Sequence, residues 1–395
     1  MQQFDICIVG SGIVGLATAF KILEHAPSTS VAIFEKEHEV AQHQTGHNSG
    51  VVHTGIYYKP GSLKAQNCIK GKKLLIDFCK EHQVPYKDTH KLITATSSDE
   101  IPRMEKLFER GKKNSLSQIS LIEQDEISNY EPHLTGIGAI LNTDVQIISY
   151  IQVSLKLKEL LQKMGVSFFF NTKVKRLYES GNEVLVETGD ETYSSNQAIN
   201  CAGLYSDSFG HQSEYRIIPF RGEYFHLKRH DLVNGLIYPV PNPDLPFLGV
   251  HLTKMIDNSL EAGPNAVLAL AREGYCKTTV NLEELFQTLS FRGFWKLSMQ
   301  NFSTGLYEMY RSVSKHAFLK SLQKFVPALK IDDLSLPGSG VRAQLLRKDG
   351  KLCDDFVFET EGKILHVLNA PSPAATASLA IGETISSKIL NYASP

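Results

Sequence analysis

The first 35 residues constrain this chain more than any other stretch. Residues 4–9 read Phe-Asp-Ile-Cys-Ile-Val, a short apolar run expected to be a buried strand. Gly10-Ser11-Gly12-Ile13-Val14-Gly15 follows at once, and Leu16 to Leu23 continues at helical spacing. Val31-Ala32-Ile33-Phe34 is a second apolar run, ending on Glu35, twenty residues past Gly15. Strand, glycine loop, helix, strand and acid in this order form the pattern of a dinucleotide site. Gly10 allows the tight turn, Gly12 lets the backbone approach a pyrophosphate, and Gly15 lets helix and strand pack closely. The helix N-terminus offers N–H groups and the positive end of its dipole to phosphates. Glu35 is placed to accept hydrogen bonds from ribose hydroxyls, and its charge disfavours a 2′-phosphate. A glycine-rich turn of some other α/β protein would leave the position of Glu35 without a reason.

A chain of 395 residues has room for two domains with sizeable cores. Its net charge of −1 gives no reason to expect nucleic acid as a partner. The six cysteines are scattered at 7, 68, 79, 201, 276 and 353, without a C-x-x-C pair or metal-ligand spacing. They read as reduced thiols of a cytosolic protein, and no metal is expected. The N-terminal apolar stretch lacks a basic n-region, contains Asp5 and carries the glycine loop, so it does not read as a signal peptide. No apolar run is long enough to span a bilayer.

The nucleotide domain is expected to be discontinuous, comprising 1–84, 146–215 and 334–395. Ser149 is placed to cap a helix from Tyr150 to about Met164. Val166–Phe170, Val174–Tyr178, Glu183–Thr188 and Gln197–Gly203 read as strands, the last running into a turn. Ile364–Leu368 reads as a strand and Ser372–Leu390 as a helix, with Ser372 as N-cap and Pro373 at its first position. The rest, 85–145 and 216–333, is strand- and turn-rich and forms a second, substrate domain. Within it, 281–326 reads as a helical insert, from the spacing of Leu282, Leu285, Phe286 and Leu289 and later of Phe318, Leu319, Leu322, Phe325 and Val326.

The glycine loop alone does not separate NAD from FAD. The segment Thr45-Gly46-His47-Asn48-Ser49-Gly50 begins ten residues past the acid and is small, polar and rich in backbone donors. A chain running along a pyrophosphate towards a flavin ring would need such a segment. The sequence resembles flavoenzymes of the D-amino acid oxidase and glycerol-3-phosphate dehydrogenase superfamily. Within it, HNSGVVHTGIYYKPGSLKA (47–65), INCAGLYSD (199–207), IPFRGEYF (218–225), PFLGVHLT (246–253), GPNAVLA (263–269), GLYEMYRSVSKHAF (305–318) and GSGVRAQL (338–345) resemble the L-2-hydroxyglutarate dehydrogenases, also called oxidases. The resemblance implies an α/β fold: a Rossmann-like FAD-binding domain of the glutathione-reductase type 2 kind, with a second α+β domain on a mostly antiparallel sheet. It implies oxidation of a dicarboxylate 2-hydroxy acid, (S)-2-hydroxyglutarate, to 2-oxoglutarate, with a quinone or oxygen as electron acceptor. For bacterial members it also implies peripheral contact with the inner face of the cell membrane. Related sarcosine oxidases attach flavin through a cysteine in the region matching Gly263-Pro264-Asn265-Ala266. No cysteine lies there, so FAD is expected to be non-covalent.

The expected cofactor contacts are Gly10, Gly12, Ile13, Val14, Gly15, Glu35 and Lys36, then Thr45, Gly46, His47, Asn48, Ser49, Gly50 and Val52. Val174, Cys201, Ala202, Gly203, Arg342 and Ser372 complete them, Ser372 through the dipole of the helix it opens. Oxidising a 2-hydroxy acid needs a base for the hydroxyl proton and cations for the carboxylates. His53 and His251 are the candidate bases, because imidazole titrates near working pH. Arg221 and Arg342 are candidate carboxylate clamps, because a guanidinium binds a carboxylate bidentately. The alternative for Arg221 is a structural pair with Glu223. Tyr57 and Tyr58 are candidate carboxylate donors that could equally be half-buried packing, and Tyr238 has the same standing. Two other readings stand beside this one: a glycerol-3-phosphate or amine oxidase of the same superfamily, and a membrane-docking flavoprotein with a structural flavin. Phe291, Phe294, Trp295 and Leu297 beside Arg292 and Lys296 motivate the second.

Overall fold

A computed structural model describes residues 1–189, 191–210, 214–242 and 248–391. The continuous apolar runs seen in the sequence become parallel strands buried on both faces, as such runs require. Among the described residues, the first sheet has eight strands. Five run parallel in the order Ile364–Asn369, Thr192–Asn200, Gln3–Val9, Val31–Phe34 and Ser167–Phe169. Val357–Glu361 adds antiparallel at one edge, and the hairpin Arg176–Ser180 with Glu183–Glu187 extends Thr192–Asn200. Helices Ile13–His25, Leu63–Glu81, Tyr150–Lys163 and Ser378–Leu390 cover this sheet. The first and last of these cross closely at Gly382, where an added Cβ would meet the Ala17 carbonyl oxygen at 2.6 Å. The Ser149 cap is present, its hydroxyl accepting from the Gln152 N–H at 3.4 Å.

The second sheet, ten strands among the described residues, is mostly antiparallel. Its order is Val267–Leu268, Tyr215–Leu227, Leu260–Gly263, His251–Lys254, Leu236–Pro239, Tyr86–Ala95, Gly138–Ile148 and Val51–Val52. Ile119–Glu123 pairs with Gly138–Ile148, and Leu334–Arg347 pairs with Tyr215–Leu227 along nearly its whole length. The segment 334–347, expected with the nucleotide domain, therefore hydrogen-bonds into the second sheet, and the chain returns to the first only at Val357. One face of this sheet packs on helix Lys315–Gln323 through Phe318, Leu319 and Leu322. The other carries Ile93 and Tyr238 and packs with Ile56 and with Met104 and Leu107 of helix Ile101–Lys113.

The C-terminal helix starts at Ser378, six residues after the expected cap. Residues 372–377 form turns instead, because tertiary contacts bend the chain there. The Thr376 hydroxyl accepts from the His53 N–H at 3.1 Å and lies 2.8 Å from the Tyr150 hydroxyl, while Ala377 lies against Gly71. The insert is helical as expected, in four pieces: Leu282–Leu289, Arg292–Gln300, Phe302–Val313 and Lys315–Gln323. No helix among the described residues is long and apolar enough to cross a membrane.

Candidate active site

A cavity of about 960 Å³ runs from the glycine loop to the cavity-facing side of the second sheet. At its first end, Gly10 has a φ of +102°, and a Cβ there would meet the Cys201 carbonyl oxygen at 2.5 Å. Gly15 packs against the Gly10 carbonyl oxygen just as tightly. Gly12 differs. Its Cβ would meet only the Thr45 hydroxyl, at 3.5 Å, so the space above it belongs to the cavity. Gly12 caps helix Ile13–His25 without any side-chain bond, and no acid lies in the first turn. An open, positive helix end over a bare glycine fits a pyrophosphate. Glu35 is held beside the loop, its carboxylate accepting from the Ser11 N–H and hydroxyl at 2.8 Å each and from the Glu37 N–H at 3.0 Å. Lys36 pairs with Glu37 and, at 2.6 Å, with Glu273 of the second domain.

Of the expected cofactor contacts, Ile13, Val14, Lys36, Thr45, His47, Asn48, Ser49, Val174, Cys201, Ala202, Gly203, Arg342 and Ser372 all line this cavity. Gly46, Gly50 and Val52 do not. Gly46 is turned against the Ala41 carbonyl, Gly50 against the Ile148 carbonyl, and Val52 is wholly buried in the first core. Cys201 and Cys353 are the described cysteines that line the cavity. Burial pushes the Cys201 thiol up to about 12, which makes it inert.

The far end gathers His53, Tyr57, Tyr58, Tyr224, Tyr238, His251 and Arg342. His251 opens strand His251–Lys254 beside Tyr238, and the two rings stack with centroids 4.0 Å apart. Pro246 and Phe247, the first two residues of the 246–253 stretch, lie outside the described residues. Burial holds the His53 imidazole down at about 3, helped by the charges of Lys91 and His251. Burial likewise holds His251 at about 3, helped by Lys91 and Arg342 and opposed by a bond to the Gly249 carbonyl. Both rings are therefore neutral at pH 7 and able to accept a proton. His251 Nδ1 lies 3.1 Å from that carbonyl, so Nδ1 carries the proton and Nε2 keeps its lone pair. His53 Nε2 lies 3.5 Å from the Ser372 hydroxyl.

Arg342 and Arg221 separate by strand alternation. Arg342 pairs with Phe220, on the face that also carries Tyr224, and engages the Tyr224 hydroxyl. Arg221 falls on the opposite face. There it donates to Glu223 Oε1 at 3.3 Å and to the carbonyls of Gly274 and Cys276 at 3.4 and 3.3 Å. Arg221 is thus a buried structural pair away from the cavity, and the substrate-clamp expectation for it is withdrawn. Lys91, Tyr150 and Thr376 were not singled out in the sequence. The cross-strand register and the bent turn bring Tyr150 and Thr376 to the cavity wall and Lys91 behind it, against the Tyr57 and Tyr238 rings.

Comparison with known proteins agrees with this geometry. A family model described as FAD dependent oxidoreductase matches residues 5–388. The chain belongs to the FAD-dependent oxidoreductase family. FAD is the cofactor of that family, and the loop, the open helix end and the cavity above fit it. The L-2-hydroxyglutarate dehydrogenase of Indibacter alkaliphilus is 46% identical over 391 residues, covering 97% of this chain and 98% of its own. The human mitochondrial L-2-hydroxyglutarate dehydrogenase is 43% identical over 412 residues, covering 98% of this chain and 89% of its own. In fold, the family likeness extends to an L-alpha-glycerophosphate oxidase from Mycoplasma pneumoniae with FAD bound. That structure has a TM-score of 0.81 and 24% identity, covering 100% of this chain and 96% of its own.

Proposed function

We propose that this chain oxidises L-2-hydroxyglutarate to 2-oxoglutarate. The observation that carries the reading is one cavity joining the glycine loop to two neutral imidazoles and Arg342. The dehydrogenase relatives supply the substrate. FAD, when bound without a covalent link, supplies the acceptor for the hydride from C2. The protein holds the substrate carboxylate next to C2 on Arg342, and an imidazole takes the hydroxyl proton, at Nε2 in the case of His251. Buried tyrosines keep water from the reacting carbon, and burial raises the pKa of Tyr57 and Tyr58, so both stay protonated donors. The test is anaerobic. L-2-hydroxyglutarate, D-2-hydroxyglutarate, L-lactate and glycerol 3-phosphate are each added to the purified holoenzyme while flavin bleaching is recorded. Bleaching by L-2-hydroxyglutarate alone is expected. Fast bleaching by glycerol 3-phosphate would select the sister activity, and a flavin that stays yellow throughout would make it structural.

We infer further that electrons leave to a quinone at a membrane surface on which the insert docks. Leu282, Phe286, Met299, Phe302, Met309 and Val313 are all at least 60% exposed on three of its helices. An apolar surface of this kind marks an interaction site. These are not the side chains the sequence suggested. Phe291 is buried against Ile218 and Leu346, with Phe294 and Leu297 packed around it, and of that group Trp295 is the one well exposed. Interfacial docking without spanning suits short amphipathic helices. Wild-type enzyme is expected to float with liposomes in low salt, and Phe286→Glu with Phe302→Glu to stay behind. A wild type that does not float yet turns over normally with a soluble quinone would make the insert a plain packing element.

A further inference from the structure

Among the described residues, the buried lysine and arginine side chains have partners, with one exception. Arg221 pairs with Glu223, Arg272 with Asp207 and Arg311 with Glu308. Lys91 is 1% exposed, and its ammonium makes no hydrogen bond or ion pair among the described residues. Its ammonium lies 4.1 Å from the ring centre of Tyr238 and 5.6 Å from that of Tyr57. The aromatic faces offset part of the cost of burying a charge, but they leave its three donors without an acceptor. Removing an ammonium from water without a carboxylate partner is costly enough that its retention calls for a reason.

The position of Lys91 supplies one. It lies in strand Tyr86–Ala95, opposite Leu236 of the neighbouring strand, whose next residue but one is Tyr238. Side chains two apart share a face, so Lys91 belongs to the face that carries Tyr238 and, stacked on it, His251. Both rings flanking the ammonium line the cavity. The hydroxyl of one of them, Tyr57, is itself buried with no hydrogen-bond partner. Lys91 itself is not among the cavity-lining residues, so both unsatisfied donors stand just behind the rings that wall the histidine end of the cavity, and a single carboxylate reaching between those rings would satisfy both.

We propose that Lys91, together with the Tyr57 hydroxyl, receives the far carboxylate of a dicarboxylate substrate and so sets the preference for a five-carbon diacid over a 2-hydroxy monoacid of equal length. This rests on the 2-hydroxy acid reading above, in which Arg342 takes the carboxylate next to the reacting carbon.

L-2-hydroxyvalerate has the same chain length and lacks only the far carboxylate. Anaerobic flavin reduction is measured with it and with L-2-hydroxyglutarate, in wild type and in Lys91→Met. The ratio of the two kcat/KM values is expected to fall about 10- to 100-fold in the variant, the loss of one charge-assisted contact. Lys91→Arg, which keeps a cation, is expected to restore part of it. The ligand-free variant should also melt higher than wild type, because an unpaired buried charge is gone. A structural lysine would lower the melting temperature instead. A ratio unchanged in a flavin-loaded variant, or a parallel loss on both substrates, overturns the proposal. If wild type leaves L-2-hydroxyglutarate unoxidised, it is the functional reading that fails.

A second measurement needs no variant. The groups facing the ammonium are His53 and Tyr57, Cys68 and Lys72 of helix Leu63–Glu81, Tyr238 and His251. The two imidazoles are held near 3, burial raises Tyr57 and Tyr238, and burial pushes Cys68 up to about 12. Lys72 is engaged by Asp144 at 2.7 Å. Burial brings Lys91 down to about 8. Between pH 7 and 9.5 the Kd of glutarate, read from the spectrum of the oxidised flavin, should therefore rise about tenfold per unit above pH 8. The Kd of valerate should stay flat. A flat glutarate profile overturns the assignment.

Discussion

His251→Ala is expected to slow flavin reduction by L-2-hydroxyglutarate about 10²–10⁴-fold, the usual loss for a general base, while flavin stays bound. The argument rests on the state of the ring. A base must present a lone pair, and the bond from Nδ1 to the Gly249 carbonyl leaves that lone pair on Nε2. His53 has no comparable anchor, since its Nε2 lies 3.5 Å from a hydroxyl that can donate or accept. His53→Ala is therefore expected to cost less. The acid side of the pH profile provides a second check. Neutral imidazole is the active form, so the rate falls as pH drops through its pKa. With both rings held near 3 by burial, kcat/KM should show no acid limb at the ordinary histidine value. A dianionic substrate favours the imidazolium, so the limb in kcat should lie at higher pH than the limb in kcat/KM. Anaerobic stopped-flow across pH reads both. If His251→Ala reduces flavin at the wild-type rate and His53→Ala does not, the base is His53. Wild-type rates in both would send the proton to water.

Gly12→Val is expected to give folded protein with almost no flavin. The glycines of the loop do different jobs, and the structure separates them. At Gly10 and Gly15 an added Cβ strikes backbone oxygens, so substitution there damages the fold itself. At Gly12 the nearest atom is the Thr45 hydroxyl at 3.5 Å, an ordinary contact. A side chain there is accommodated by the protein and intrudes on the pyrophosphate. Far-ultraviolet circular dichroism should match wild type, while the ratio of flavin to protein absorbance collapses. Full flavin content in a folded Gly12→Val protein would mean that the loop does not cradle the cofactor.

These two sites differ in how far they could be read from the sequence. The loop and Glu35 were legible because a local pattern of strand, turn and helix fixes them within 35 residues. The helix from Tyr150 was legible because its cap, Ser149, is local as well. Arg221 misled because one step along a strand moves a side chain to the other face, and composition does not record which face is inside. Lys91 was silent for the same reason. A lysine in Thr89-His90-Lys91-Leu92 looks like a solvated edge until Leu236 and Tyr238 are placed beside it. The helix expected at Ser372 began late because contacts of Thr376 with Tyr150 and the His53 backbone outweigh a good start signal.

The order of strands in the first sheet has a consequence for synthesis. Thr192–Asn200 lies between Gln3–Val9 and Ile364–Asn369, which is made long after both, and helix Ser378–Leu390 packs on helix Ile13–His25. Segments made far apart in time are thus neighbours in the folded protein. The glycine loop leaves the ribosome well before the layer that closes behind it is made. Such long-range pairing is slow to form and leaves apolar surface waiting. Cofactor capture then waits for that layer, and a ribosome that stalls before Ile364 releases a chain that can begin the site and never complete it.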